Sequence, residues 1–289
     1  MSVFMYLDKQ RVVNNAKGCL LGLITGDDNG GPTSMMMRNL DCATSLKLNC
    51  NFIYIGKGYL EWFKEDGYDA GLVTHKVLEL VDSGLSFDEA AKQVDKEVGG
   101  MTAGINPAHR STPLTLPYVA WYLRSPNFFE EFPNTGFQEF QRAIEWEAEL
   151  THLHKEAAEV SLAVNAIIMY LLLGKDEFRA LEFGMRFINQ DLRSKILDDV
   201  YSKDSEHLKD GGYAPDVLTA ALWFLFHTQS FEGALSKSKE FAGAANYCPV
   251  LVGSIGGAMY GYNEIKPHLK NISKDNITTI TSSIGSIFK

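Results

Sequence analysis

Apolar positions along the chain recur at three- and four-residue intervals, the period of helices with one buried face. Residues 8–25 read as a first helix. Gly18, Gly22 and Gly26 share one of its faces, and Gly30 continues the spacing. A glycine inside a helix costs up to ~1 kcal/mol against alanine. A ridge of them therefore predicts another helix packed very close. Residues 70–83 form a second helix, stopped near Gly84. Ser86, with Glu89 three residues on, opens the next as a capping box. Residues 99–116 are a Gly- and Pro-punctuated loop running into a short helix. Helices follow at 137–152, 155–173, 177–189, 213–226, 231–239 and 250–262. The last carries Gly253, Gly256, Gly257 and Ala258. The only strand-like stretch is "NFIYIG", residues 51–56. The tail, residues 271–288, suits either an extended segment or a final helix. With no internal repeat and no low-complexity linker, the pattern predicts one all-α domain over residues 1–289.

Composition narrows this little. Hydrophobic residues make up 45% and charged residues 22%, ordinary for a globular chain. The net charge is -9 and Lys and Arg form no stripe, so no nucleic-acid partner is expected. Residues 156–174 are strongly apolar, but Glu159, Ser161 and Asn165 interrupt them and the uninterrupted part is too short to span a bilayer. A buried helix and no membrane association are expected. The first eleven residues lack the basic-then-apolar order of a secretory signal. Cys19, Cys42, Cys50 and Cys248 have no zinc spacing and no CxxC. These readings point to a reducing, cytoplasmic location.

Five motifs occur in a recognisable order. "GCLLGLITGDDNGGP" begins at Gly18 and "GINPAHRSTPLTL" at Gly104. "LTHLHKEA" begins at Leu150, "GYAPDVLTAALWFLFHTQSFEGALSKS" at Gly212 and "AGAANYCPVLVGSIGGAMYG" at Ala242. Together, over roughly residues 11–262, they resemble the ADP-ribosylglycohydrolases, the group of dinitrogenase-reductase-activating glycohydrolase and the crystallin J1-like proteins. The resemblance implies a single all-helical domain. It implies a cleft with two Mg²⁺ or Mn²⁺ ions and hydrolysis of the bond between ADP-ribose and an arginine, serine or related group. In register, however, the family's first aspartate motif falls on Gly67, Tyr68, Asp69 and Ala70, and only Asp69 keeps it. In the last motif Ala244 and Asn246 stand for aspartates and Tyr247 for a threonine. Hard divalent cations need several oxygen ligands, carboxylates above all. The sequence therefore predicts no metal ligands and no metal cofactor.

The candidate catalytic residues are Asp27, Asp28 and Asp69. Asp27 matches the family's GD aspartate and Asp28 is this chain's own. Two carboxylates in one cleft push one pKa up and supply both acid and base, as glycoside cleavage requires. The alternative is that Asp27 caps the following turn, with Asn29, Gly30, Gly31 and Pro32 as turn chemistry. Asp69 has a like alternative as a helix cap. The candidate substrate contacts are Asn29, Asn106, His109, Arg110, His152, Asn246 and Tyr247. Arg110 suits a phosphate or carboxylate, or else a structural ion pair. Tyr68, Trp62 and Phe63 suit a base-binding wall or core packing. Cys248 reads as an inert buried thiol. The leading expectation is a divergent, metal-independent glycohydrolase. It would cleave an N- or O-glycosidic bond of an ADP-ribosyl, ribosyl or nucleoside-like substrate, its partner being such a small molecule or an ADP-ribosylated target. The rival is an inactive homologue, ligand-binding or crystallin-like, whose cleft Tyr68 and Tyr247 would plug.

Overall fold

The structure, a computed structural model, describes residues 8–124 and 135–289. Among them are sixteen α-helices and no β-strand. The first helix, α1 (Lys9–Gly26), is capped by Asp8, whose side chain accepts from the Gln10 N–H. It leads through residues 27–30 into α2 (Gly31–Leu46). The region read as strand-like is instead α3 (Phe52–Glu65). Asn51 caps it by accepting from Tyr54 N–H at 3.0 Å. Ile55, Tyr59 and Trp62 then fall on one buried helical face, which outweighs the β-propensity of the first six residues.

The next pair is α4 (Leu72–Asp82) and α5 (Phe87–Glu97), the latter opened by the Ser86–Glu89 capping box. The two enclose a small separate core of Val77, Ala90, Ala91 and Val94. The punctuated loop yields one helical turn, α6 (Asn106–Arg110), before α7 (Thr115–Arg124). Beyond the gap come α8 (Thr135–Glu149) and α9 (Lys155–Leu172). The apolar α9 runs through the main core. Its polar residues are satisfied internally: Ser161 and Asn165 hydrogen-bond Ser111 and Thr115. Among the described residues no helix is long and apolar enough to cross a membrane.

Helix α10 (Glu177–Gly184) packs on α9 and α11 (Gln190–Val200) on α12 (Ala214–Phe226), while α12 and α13 (Phe231–Ala242) pack against α14 (Tyr247–Tyr260). A short α15 (Tyr262–Ile265) follows, and the tail resolves as helix, α16 (Lys274–Ile287). The reading of the first residues as signal-free falls on 1–7, outside the described residues.

The glycine ridge is the main structural joint. A Cβ on Gly22 would stand 2.2 Å from the Gly253 carbonyl oxygen. One on Gly257 would stand 2.1 Å from that of Gly18, and one on Gly26 2.1 Å from that of Pro249. Helices α1 and α14 thus touch backbone to backbone. This contact sets the C-terminus of α1 against the N-terminus of α14, bringing Asp27 to Asn246 across 219 residues of sequence.

Cysteines 42 and 50 are joined as a disulfide, their Cα atoms 5.6 Å apart. The sequence reading paired neither of them. Such bonds are uncommon in a reducing cytoplasm. The Cys19 and Cys248 thiols are buried and free, and burial pushes both far above the usual thiol range.

Candidate active site

Two carboxylates converge on the N-terminus of α2. Asp27 ends α1, where an anion would face the negative pole of that helix. Its side chain turns instead to the first turn of α2. Its Oδ1 accepts from Gly30 N–H at 2.8 Å and Asn29 N–H at 3.2 Å, and its Oδ2 accepts from Thr33 N–H at 2.7 Å. Gly30, at the helix start, has no side chain to cap with, so Asp27 does it from three residues upstream. Asn246 donates a fourth bond, from Nδ2 to Oδ1 at 3.1 Å. The Asp27 carboxylate is buried and fully engaged.

Asp69 approaches the same helix end from the α3–α4 loop. Its backbone is left-handed, φ 58°, an uncommon setting for a residue other than glycine. Gly31 permits the approach, because a Cβ there would meet the Asp69 carbonyl oxygen at 2.2 Å. Gly31 N–H and the Asn29 side chain lie near the Asp69 carboxyl and favour its charged form. It is half-buried, and burial, then the charge of Asp27, raise its pKa above the ordinary 3.8. The structure therefore joins Asp27, Asn29, Asp69 and Asn246 in one cluster.

Asp28 does not join the pair. Its side chain is exposed and meets Lys239 Nζ at 2.5 Å. Its backbone N–H donates to Asn246 Oδ1, which lets the left-handed Asn246 (φ 57°) tie α14 to both aspartates.

The remaining candidates lie deeper. Arg110 is wholly buried and paired with Glu147 through Nε to Oε1 at 2.6 Å. Its other nitrogens donate to Thr151 Oγ1 at 2.9 Å and Asn106 Oδ1 at 3.1 Å, and its guanidinium lies over the Tyr59 ring. The structure thus assigns it the ion-pair alternative, not an open ligand-facing position. Asn106 donates from Nδ2 to Ala70 O at 2.9 Å, which fastens the Asp69 loop to the Arg110 network. His109 is buried, its Nε2 bonded to Tyr247 O at 2.9 Å. Desolvation lowers its pKa to about 4. It is therefore neutral at pH 7, and Nε2 carries the donated proton. His152 is also buried, Nδ1 bonded to Thr151 Oγ1 at 2.7 Å, its pKa held well down by desolvation and then by Arg110. Trp62 is buried in the core. Tyr68 is 64% exposed and Tyr247 37% exposed, the latter with its ring over Gly212. Neither ring plugs the cluster.

The sequence reading overlooked Glu147. It sits on the apolar stripe Phe137, Phe140, Ile144, Ala148 of α8, where a carboxylate needs a partner. That misplaced charge was the available signal for the pair with Arg110. Nothing in the spacing pointed to Tyr59 or Lys239.

A family-type pair of cations would need several free oxygen ligands around Asp27. Asp27 already accepts four hydrogen bonds, and Asn246 points its amide N–H₂ toward it. Thr33 Oγ1, on the residue whose N–H Asp27 binds, is buried and has no hydrogen-bond partner among the described residues. Among the described residues no three His, Cys, Asp or Glu side chains gather as a metal would require. In this arrangement the Asp27 oxygens are engaged by hydrogen-bond donors.

This arrangement of helices is that of a known class of fold. A solved structure titled "ADP-ribosylglycohydrolase-related protein complex" superposes with a TM-score of 0.73, over 96% of this chain and 98% of that one, at 19% identity. Residues 40–286 match the model of the ADP-ribosylglycohydrolase family, and the chain belongs to that family. The matched span begins after the glycine-rich opening and includes α16, which the motif resemblance did not reach. Among curated proteins, the chain is similar to the ADP-ribosylarginine hydrolase Tri1 of Pseudomonas putida (strain GB-1). Identity is 22% over 288 residues, covering 90% of this chain and 74% of that protein. It is also similar to the ADP-ribosylarginine hydrolase Tri1 of Serratia proteamaculans (strain 568), at 25% identity over 46% of this chain and 37% of that protein.

Proposed function

We propose that the protein hydrolyses an ADP-ribosyl glycosidic bond, with arginine-linked ADP-ribose as the first substrate to try, and that it does so without a metal. The family and the two similar arginine hydrolases support the bond type. The observation that carries the mechanism is the raised, half-buried Asp69 carboxyl beside the fully engaged Asp27.

An acid with a raised pKa holds its proton nearer neutrality and returns it more readily. In this mechanism the bond from C1″ of ADP-ribose to the guanidine nitrogen breaks and its electron pair leaves with the nitrogen. Asp69 gives that nitrogen a proton. The C1″ cation that develops is stabilised by the two carboxylates of the cluster. Water adds to C1″ and its proton returns to Asp69. Tyr68 and Tyr247, both exposed beside these elements, offer rings for the adenine or ribose to pack on.

The test is steady-state hydrolysis of an ADP-ribosyl-arginine peptide by wild type and Asp69→Asn. Removing a general acid–base group costs roughly 10²–10⁴-fold. We expect kcat to fall by that factor while KM changes little. Equal kcat values would remove Asp69 from the chemistry.

A further inference from the structure

The loop that delivers Asp69 is bent against the preference of its own residues. Within it Gly67, Asp69 and Gly71 all carry positive φ, at 61°, 58° and 76°. Glycine takes that setting freely, whereas aspartate keeps it only where its surroundings hold it there. Backbone bonds hold the two ends of the loop. Gly67 N–H donates to Trp62 O at 3.2 Å, and Gly71 O accepts from His75 N–H at 2.9 Å in the first turn of α4. Between them the Ala70 carbonyl accepts from Asn106 Nδ2 at 2.9 Å. This bond grips the chain one residue beyond Asp69.

Asn106 is itself held. Its Oδ1 accepts from Arg110 Nη1 at 3.1 Å. Arginine only donates and a backbone carbonyl only accepts, so the two partners fix which end of the amide faces which. Arg110 is anchored in turn, because the Glu147 carboxylate, the Glu147 carbonyl and Thr151 Oγ1 take its other N–H groups inside the core. The Asn106 amide thus carries the rigidity of a buried ion pair out to a strained loop. Gly71 leaves room for it, since a Cβ there would stand 3.4 Å from Asn106 Nδ2. Both ends of the amide are occupied by the protein, which turns Asn106 from a substrate contact into a clamp.

We propose that Asn106 is a positioning residue for the reaction: through the Ala70 carbonyl it holds Asp69 in the left-handed conformation that sets its carboxyl beside Asp27 at the start of α2. The inference rests on the role given to Asp69 under the proposed function. An acid–base group acts only from its proper place, and a misplacement of about 1 Å can cost about 10²-fold in rate.

The experiment compares wild type with two variants of the full chain. Asn106→Ala removes both bonds. Asn106→Asp keeps an acceptor for Arg110 but turns an oxygen, not an N–H, toward the Ala70 carbonyl, and it keeps the test open should Asn106→Ala not fold. Hydrolysis of an ADP-ribosyl-arginine peptide is measured together with amide hydrogen exchange over residues 68–72. Both variants are expected to lose at least about tenfold in kcat while KM stays within about threefold of wild type. Exchange over the loop is expected to quicken at least about tenfold while that of α14 is unchanged, the mark of a local opening. The proposal is overturned by an unchanged kcat, by a raised KM with unchanged loop exchange, or by exchange that quickens equally in α14. Should the wild type cleave no ADP-ribosyl bond, the role of Asp69 fails, and the exchange data still decide whether Asn106 holds its loop.

Discussion

Asp27 and Asp28 are neighbours in sequence with opposite duties. Asp27 takes four hydrogen bonds in a buried position, whereas Asp28 meets one lysine in solvent. Asp27→Asn is expected to destabilise the fold by about 2–3 kcal/mol, since it removes the charge from bonds that depend on it. Asp28→Asn is expected to cost no more than about 1 kcal/mol, the range of an exposed ion pair. Urea melts of the two variants check this difference. His109 contributes to the acid limb. Its pKa is about 4 in the fold against an ordinary 6.5, so the folded state binds fewer protons between those values. Stability is therefore full above pH 6.5 and declines as pH falls toward 4, by roughly 3 kcal/mol for this one group. Melts from pH 7 to pH 4 should show that decline, and His109→Gln should lessen it while the similarly depressed His152 keeps its share. The residue types of this region were legible in the sequence, and Asp27 and Asp69 do come together. What was not legible is direction. A chain of letters does not say that Asp28 turns outward, or that Arg110 turns inward to a glutamate 37 residues away.

Among the elements, the α1–α14 contact was the clearest in advance, because four-residue glycine spacing has few other uses. A methyl group at Gly22 has nowhere to go, its nearest neighbour being backbone. Gly22→Ala is expected to cost about 3 kcal/mol, at the upper end for overpacking. Gly285, in α16, has open space around it, and Gly285→Ala should stabilise by about 0.5–1 kcal/mol through lower unfolded-chain entropy. Thermal melts of the two should therefore move in opposite directions. Helix α3 was the least legible element. Its opening, Phe52 to Ile55, is aromatic and β-branched, and only the Asn51 cap and the later Tyr59 and Trp62 reveal the helical period. Helix α2 was overlooked for a related reason. Its N-terminus carries no capping residue of its own, since the cap is Asp27.

At the scale of the molecule, one glycine-ridged joint delivers the ends of α1 and α14 to a single place, and the start of α2 gathers both carboxylates there. The family fold is intact where it packs, backbone against backbone along the glycine ridge. Asn246 and Tyr247 do structural work: one binds Asp27, and the backbone of the other holds His109. On the proposed mechanism the chemistry proceeds from Asp69 without a metal. Its most direct test is the rate of ADP-ribose release from ADP-ribosyl-arginine by protein stripped with excess EDTA, compared with the same protein given Mg²⁺ or Mn²⁺. Equal rates are expected in both. A stripped protein that is inactive and regains activity on adding either ion would contradict it.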